Sequence, residues 1–374
     1  MKEKVSILNV IKFAGAYIAF TFGSGFATGQ EILQFFAAYG QQAIVAALVG
    51  MAVFASMGAA LMVKGYELQL KVETSIFRYY CGKYIGMALE VFTIVSLFCV
   101  VSVMIAGTGA IAVEYFGING EIGKILMAII CVITVLLGLN KLVDIIGTIG
   151  PFITIFTIFM GVFTFATSQY MGNSLTDAQL ANFWDLRATA GWWFSKFSIF
   201  DRGWFSGILY AACMVLGGIP FLTGLGKTAN SKKEAALGGI LGGGVLMLSV
   251  IAIVLAMFCY PDEIVTLEVP NLFLAKKSLP FLATLFSITL LMGIFSTAAP
   301  MFYLVINRIQ GFGFNKKIML AITVFLGIVA YFGSSIGFGQ LIGLLYPLMG
   351  QVGVIMIPVV LLQAKRTSQF DENL

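Results

Sequence analysis

Residues 20–36 read FTFGSGFATGQEILQFF. They lie inside an apolar run that opens at residue 7 and continues to residue 38. Gly23, Gly25 and Gly29 fall within seven positions, and Gln30 and Glu31 follow at once. Glycine costs a helix about 1 kcal/mol relative to alanine, and a carboxylate at membrane depth is expensive and functional by default. A run of membrane-spanning length therefore carries, near its middle, the residues that most damage a membrane helix. That combination predicts a crossing deliberately interrupted.

The rest of the chain supplies the setting. Of 374 residues, 60% are hydrophobic and only 10% charged, and the mean hydropathy is +0.99. Soluble domains carry about 25% charged residues, so the composition is that of a polytopic membrane protein. There is no histidine, which removes the commonest general base and metal ligand. Cys81, Cys99, Cys131, Cys213 and Cys259 are odd in number, scattered and without a C-x-x-C pair, so neither a disulfide framework nor a metal cluster is expected. No P-loop is present to power an ATP-driven pump. No catalytic residue or cofactor is expected, and the chain reads as a non-enzyme. The net charge of +5 suits membrane orientation better than a nucleic-acid partner.

Apolar segments of roughly 17 to 25 residues or more occur at about 7–38, 42–64, 85–113, 121–139, 143–168, 203–226, 235–259, 280–307, 318–333 and 338–363. This predicts an all-α integral membrane protein of ten transmembrane helices, forming one domain over residues 1–374 with a short tail at 364–374. No small-residue cleavage site interrupts the first run, so it is expected to be retained. With a cytoplasmic N-terminus, sixteen of the 22 Lys and Arg fall on the inner side. Only Lys124, Arg187, Lys196, Arg202, Lys276 and Lys277 fall outside. The positive-inside rule then places both termini in the cytoplasm and the loop 169–202 outside. Residues 65–84 read as an amphipathic cytoplasmic segment.

The sixth span repeats the peculiarity of the first. ILYAACMVLGGIPFLTGLGK, residues 208–227, carries Gly217, Gly218 and Pro220 near its middle. Proline removes a backbone donor and clashes with the preceding turn, so this span too is expected to break. Interruptions in spans one and six of ten open two halves of five helices each, about 7–168 and 203–363. Matched interruptions of this kind are the sequence mark of an inverted-repeat transporter. G-x-x-x-G patterns also serve simple close packing, the role expected of ALGGILGGGV at 236–245.

GSGFATGQE at 23–31 resembles the unwound first-helix segment of the amino acid–polyamine–organocation superfamily, whose members share the LeuT fold. More narrowly, the chain resembles the YkvI-like bacterial membrane proteins along its whole length, which implies a bacterial cell membrane. The helix-six stretch departs from the aromatic–polar–glycine pattern of amino acid permeases. An unwound helix offers free amides and the positive dipole end to an anionic group, and free carbonyls to a cation. The first break is thus expected to bind a small organic solute through Gly23, Ser24, Gly25, Phe26 and Thr28. Tyr17, Tyr210, Met214, Gly217 and Gly218 would complete the site. The resemblance also implies a sodium site made of the Ala19, Phe22 and Gly293 carbonyls and the Ser296 and Thr297 hydroxyls, a neutral oxygen set that suits a hard cation. The same hydroxyls could instead bond back to their own helix. Residues 144–163 hold no lysine of the kind used by proton-coupled relatives.

Glu31 sits on the order of 13 Å below the outer helix end, beyond easy snorkelling. It is expected to be a proton carrier, a gate or a counter-charge. Glu90 is expected near the cytoplasmic interface, beside Lys83 or Lys141, without an assigned role. The functional expectation is a cation-coupled, preferably sodium-coupled, secondary transporter of an amino acid or related zwitterion. The alternatives are a proton-coupled carrier or exchanger using Glu31, and a membrane sensor that binds without transport.

Overall fold

A computed structural model describes residues 5–70, 76–137, 143–168, 202–278 and 280–363. The predicted outer loop 169–202, apart from Arg202, and the tail 364–374 lie outside the described residues. Those described are helical throughout, with short turns between elements. In chain order, the helices are α1 (Ile7–Thr21), α2 (Ser24–Thr28), α3 (Gln30–Phe35) and, after a 3₁₀ segment at Ala37–Gln42, α4 (Ala43–Leu68), α5 (Ile76–Glu114), α6 (Gly120–Leu137) and α7 (Val143–Thr167). The second half holds α8 (Gly203–Lys227), α9 (Lys232–Met257), the short α10 (Pro261–Ile264), α11 (Pro270–Ser278), α12 (Pro280–Gln310), α13 (Lys316–Gly333) and α14 (Phe338–Gln363). Among the described residues, seven helices are long and apolar enough to cross a membrane: α4, α5, α8, α9, α12, α13 and α14. The chain is a multi-pass membrane protein.

The first run breaks as its composition predicts, and more than once. α1 ends at Thr21, and Gly23 takes φ 33°, ψ 177°, which no helix can contain. A second glycine, Gly29, stands at φ 92° between α2 and α3. Both dihedrals lie in territory that a side chain makes costly. Phe22, Thr28 and Gln30 beside these glycines are buried, so the interruption is at depth, where irregular backbone persists only inside protein or beside a cavity.

The predicted break in the sixth span does not occur. α8 runs unbroken from Gly203 to Lys227 with Pro220 inside it, and neither Gly217 nor Gly218 has a positive φ. The reason is tertiary. α8 lies against α4 backbone to backbone: a Cβ on Gly207 would meet the Ala46 carbonyl oxygen at 2.0 Å, and one on Gly226 would meet that of Met62 at 1.9 Å. Thr223 Oγ1 donates to the Ile219 carbonyl at 2.8 Å, one turn past the proline kink point. Neighbouring helices and local hydroxyls of this kind are what let membrane helices tolerate proline. Glycine–glycine–proline here stays within a continuous helix, held by the contacts of Gly207 and Gly226 on either side of it.

The glycines of 236–245 pack as expected. Gly239 lies against Gly58 of α4, and Gly242 lies against Tyr17 of α1. Van der Waals approach of this sort drives helix association in lipid, where apolar burial offers little. In the segment 65–84, a short helical piece from Ile76 ends at a turn at Gly82 (φ 74°), before the membrane-length part of α5; it buries Ile76, Phe77 and Tyr80, while Lys83 and Tyr84 are exposed. Residues 71–75 lie outside the described residues.

Charged groups pair in two sets. Glu67 accepts from Lys64 at 2.8 Å and from Lys232 at 2.6 Å. Glu90 is buried and pairs with Arg78 and Arg308, each at 3.2 Å; Lys141, one of the two partners expected for it, lies outside the described residues. At the other end, Lys124 pairs with Glu121 at 2.8 Å and Lys276 Nζ donates to the Glu114 carbonyl at 3.0 Å.

Candidate functional site at the first-helix interruption

Beside the Gly23 break lies a cavity of about 30 Å³, bordered by α1, α5, α8, α12 and α14. Its walls include Thr21, Gly23, Glu31, Met214, Thr297 and Tyr346. The volume is that of one or two waters. The surrounding helices must separate to admit a solute of amino-acid size.

Glu31 dominates this space. It is 1% exposed. Tyr210 Oη of α8 donates to its Oε2 at 2.8 Å. Its Oε1 makes no hydrogen bond, and the Tyr346 hydroxyl and Phe26 amide are neighbours of the same carboxyl. The carboxyl folds back over the interruption. A Cβ built on Gly25 would stand 2.1 Å from Oε1, and one on Gly23 would stand 3.9 Å from the same atom. The backbone expected to receive a solute's carboxylate is therefore already faced by a carboxyl of the chain itself.

The other expected site residues divide into those the fold gathers and those it does not. Gly23, Met214, Gly217 and Thr297 border the cavity, and Tyr210 reaches it through Glu31. Gly218 turns toward Phe20 instead. Phe26 is fully buried and stacks near Phe22, ring centroids 4.3 Å apart. Thr28 serves its own turn, donating to the Gly25 carbonyl at 3.2 Å. Tyr17 is structural, donating to the Phe54 carbonyl at 3.1 Å while packed on α9. The side chain of Ser24 lies outside the described residues.

Of the sodium set, Ala19 and Phe22 are buried at the carbonyl end of α1, and Thr297 borders the same cavity as Gly23. Ser296 Oγ and Thr297 Oγ1 both donate to the Gly293 carbonyl, at 2.8 and 3.3 Å. Each hydroxyl oxygen keeps acceptor capacity in that arrangement. The last carbonyls of α1 have no donor further along the helix. The two hydroxyl bonds are the back-bonding to their own helix expected as the alternative to a cation site; the oxygen types are those a hard monovalent cation takes. Among the described residues no cluster of three or more His, Cys, Asp or Glu could hold a metal.

The residue that sequence reasoning missed is Asn271 of α11. It is fully buried, and its Nδ2 donates to the carbonyls of Phe26 and Ala27 at 3.1 and 3.0 Å. Asparagine inside VPNLF reads as outer-loop chemistry, and its only signal was the apolar context around a turn residue. Ser206 Oγ meets the Phe35 carbonyl at the end of α3 at 2.6 Å, and Gln34 Nε2 donates to Gly339 of α14 at 3.0 Å. Glu234 of α9 holds the start of α1 through the Ser6 amide at 2.7 Å.

Comparison with known proteins agrees with this geometry. No family model matches the chain. It is 26% identical over 359 residues, 94% of both chains, to the uncharacterized membrane protein YkvI of Bacillus subtilis (strain 168). The fold superposes on MhsT in complex with L-phenylalanine with a TM-score of 0.61 at 14% identity, over 97% of this chain and all of that one. A mutant of the Eremococcus coleocola manganese transporter gives 0.54 at 15% identity, over 95% of this chain and 79% of that one. The chain has the LeuT fold of these transporters.

Proposed function

We propose that the chain is a cation-coupled secondary transporter of a small organic solute bearing an ammonium group, the class to which amino acids and related zwitterions belong. In this reading ten helices form two five-helix repeats of opposite orientation, about 7–168 and 203–363, in a bacterial cell membrane with both termini cytoplasmic. The site exposes to one side and then the other as the helices around the Gly23 break rearrange. The observation that carries the reading is a buried, non-helical backbone segment beside a small cavity at membrane depth. Its support is the shared fold with two membrane transporters. A merely structural kink would need neither the cavity nor the buried carboxyl.

For coupling, sodium held by the Ala19, Phe22 and Gly293 carbonyls with the Ser296 and Thr297 hydroxyls is the first reading. A second is favoured by Glu31, whose buried carboxyl with one unbonded oxygen is placed to take and release a proton. Counterflow of labelled solute in proteoliposomes tests transport itself, because a sensor would bind without exchange. Uptake under separate sodium and proton gradients then divides the two couplings. Uptake unchanged when potassium replaces sodium would remove the sodium reading.

A further inference from the structure

We infer that Glu31 is the counter-ion for the positively charged head of an organic amine or guanidine that carries no carboxylate of its own, and that this is the solute transported. The inference rests on the transporter reading above and narrows its substrate class. A solute's carboxylate brought to the unwound backbone would meet the Glu31 carboxyl, because Oε1 occupies the place of a Cβ on Gly25. Two carboxylates at contact in a weakly screened interior repel strongly.

Glu31 also lacks a cationic partner. Tyr210 donates to one of its oxygens, the Tyr346 hydroxyl and the Phe26 amide stand beside the carboxyl, and among the described residues no Lys or Arg faces it. A carboxylate offers about four acceptor positions, so capacity remains for an N–H donor even with all three in place. The nearby wall is apolar and polarisable: Met104, Cys213, Met214 and Tyr346. Such a wall suits an alkyl or aryl ammonium. It supplies no second acid, and a divalent metal would need more hard oxygen ligands than it offers.

A second feature lies between the end of α5 and the start of α14. A cavity of about 310 Å³ is lined by Glu114, Glu121, Glu268, Lys124 and Phe338, three acids to one base. Phe338 opens α14, and the next carbonyl, that of Gly339, accepts from Gln34, one turn beyond Glu31. Three acids to one base give this end of the helices a local excess of negative charge, which concentrates cations and repels anions.

The test uses the purified full chain and pairs of solutes that differ only by the carboxylate: putrescine against L-ornithine, cadaverine against L-lysine, agmatine against L-arginine, and phenethylamine against L-phenylalanine. Binding is measured calorimetrically or by thermal shift, followed by counterflow in proteoliposomes. At least one amine should bind the wild type tenfold or more tightly than its carboxylate-bearing partner. Glu31→Gln should weaken that amine at least tenfold and narrow the gap within the pair, whereas Glu31→Asp should retain the preference. The proposal fails if the amino acids bind better than the amines, if no amine binds, or if manganese(II) chloride alone is the ligand that depends on Glu31. The wild-type comparison decides the matter even if Glu31→Gln does not accumulate. Binding of an amine without counterflow would overturn the transporter reading and leave the ligand assignment intact. Counterflow of amino acids with no preference for amines would do the opposite.

Discussion

Replacing Gly25 by alanine adds one carbon atom at the place where the geometry is most demanding. That carbon would stand 2.1 Å from Oε1 of Glu31, 2.4 Å from its Cγ and 2.5 Å from its Cδ. Ordinary contact begins near 3.4 Å, so the carboxyl must retreat by at least 3.4 − 2.1 = 1.3 Å. The Tyr210 bond at 2.8 Å does not survive such a displacement. Hydrogen bonds to charged groups are worth about 1.5–3 kcal/mol, which is about ten- to hundredfold in the binding of a solute that needs the carboxyl in place. The backbone is not the obstacle, because Gly25 lies within helical α2 and has no positive φ. The assay is a double-mutant cycle on purified protein, with Gly25→Ala, Tyr210→Phe and the pair, read by the affinity for the best-bound amine. If both substitutions act through one hydrogen bond, the pair should lose little more than Gly25→Ala alone. Losses that add, or a Gly25→Ala protein that binds like wild type, would refute the placement of Glu31 over the break.

Other consequences are as direct. Gly217→Ala should be tolerated or slightly stabilising, by up to about 1 kcal/mol from helix propensity, because its Cβ would meet only Leu97 at 3.6 Å; thermal unfolding in detergent checks this. Gly65→Ala should cost 1–3 kcal/mol or more and lower the folded yield in gel filtration, since its Cβ would overlap the Thr223 carbonyl. Thr297→Ala should lower sodium affinity at least tenfold, about 1.4 kcal/mol, with uptake partly restored at high sodium; under proton coupling it should change little. Asn271→Ala leaves two carbonyls of α2 without their donor and should speed alkylation of Cys213 in a background lacking the other four cysteines. For orientation, a cysteine at exposed Thr266 should react with an impermeant reagent on intact cells, and one at exposed Phe312 only after permeabilisation.

The first-helix interruption was legible because its cause is local. Glycines at 23 and 29 take dihedrals that few other residues adopt, and no neighbour need be known to expect it. The second was misread for the opposite reason. Gly217, Gly218 and Pro220 satisfy a local rule for breaking a helix, but the contacts of α8 with α4 override it, and those contacts join residues more than 150 positions apart. Glu31 stood out as an acid at depth, yet its partner Tyr210 is 179 residues away, so its direction over Gly25 could not be read from its spacing. Glu90 shows the same limit: of its partners Arg78 and Arg308, the second comes from the far half of the chain.

The four ties on the first run have a mechanical meaning. Its start is held by Glu234 of α9, its middle by Asn271 of α11, its acid by Tyr210 of α8 and its outer piece by Gly339 of α14. Each tie belongs to a different helix, and the pieces between them are joined at glycines that bend freely. The run is therefore a jointed rod clamped at several points, beside a neighbour, α8, that has no joint. Releasing one clamp swings one piece and leaves the others shut, so the inner and outer ends can yield in turn. A carrier that opened both ends together would be a leak. Here the cost of that leak is the simultaneous loss of bonds to separate helices, a barrier written into residues 6–34.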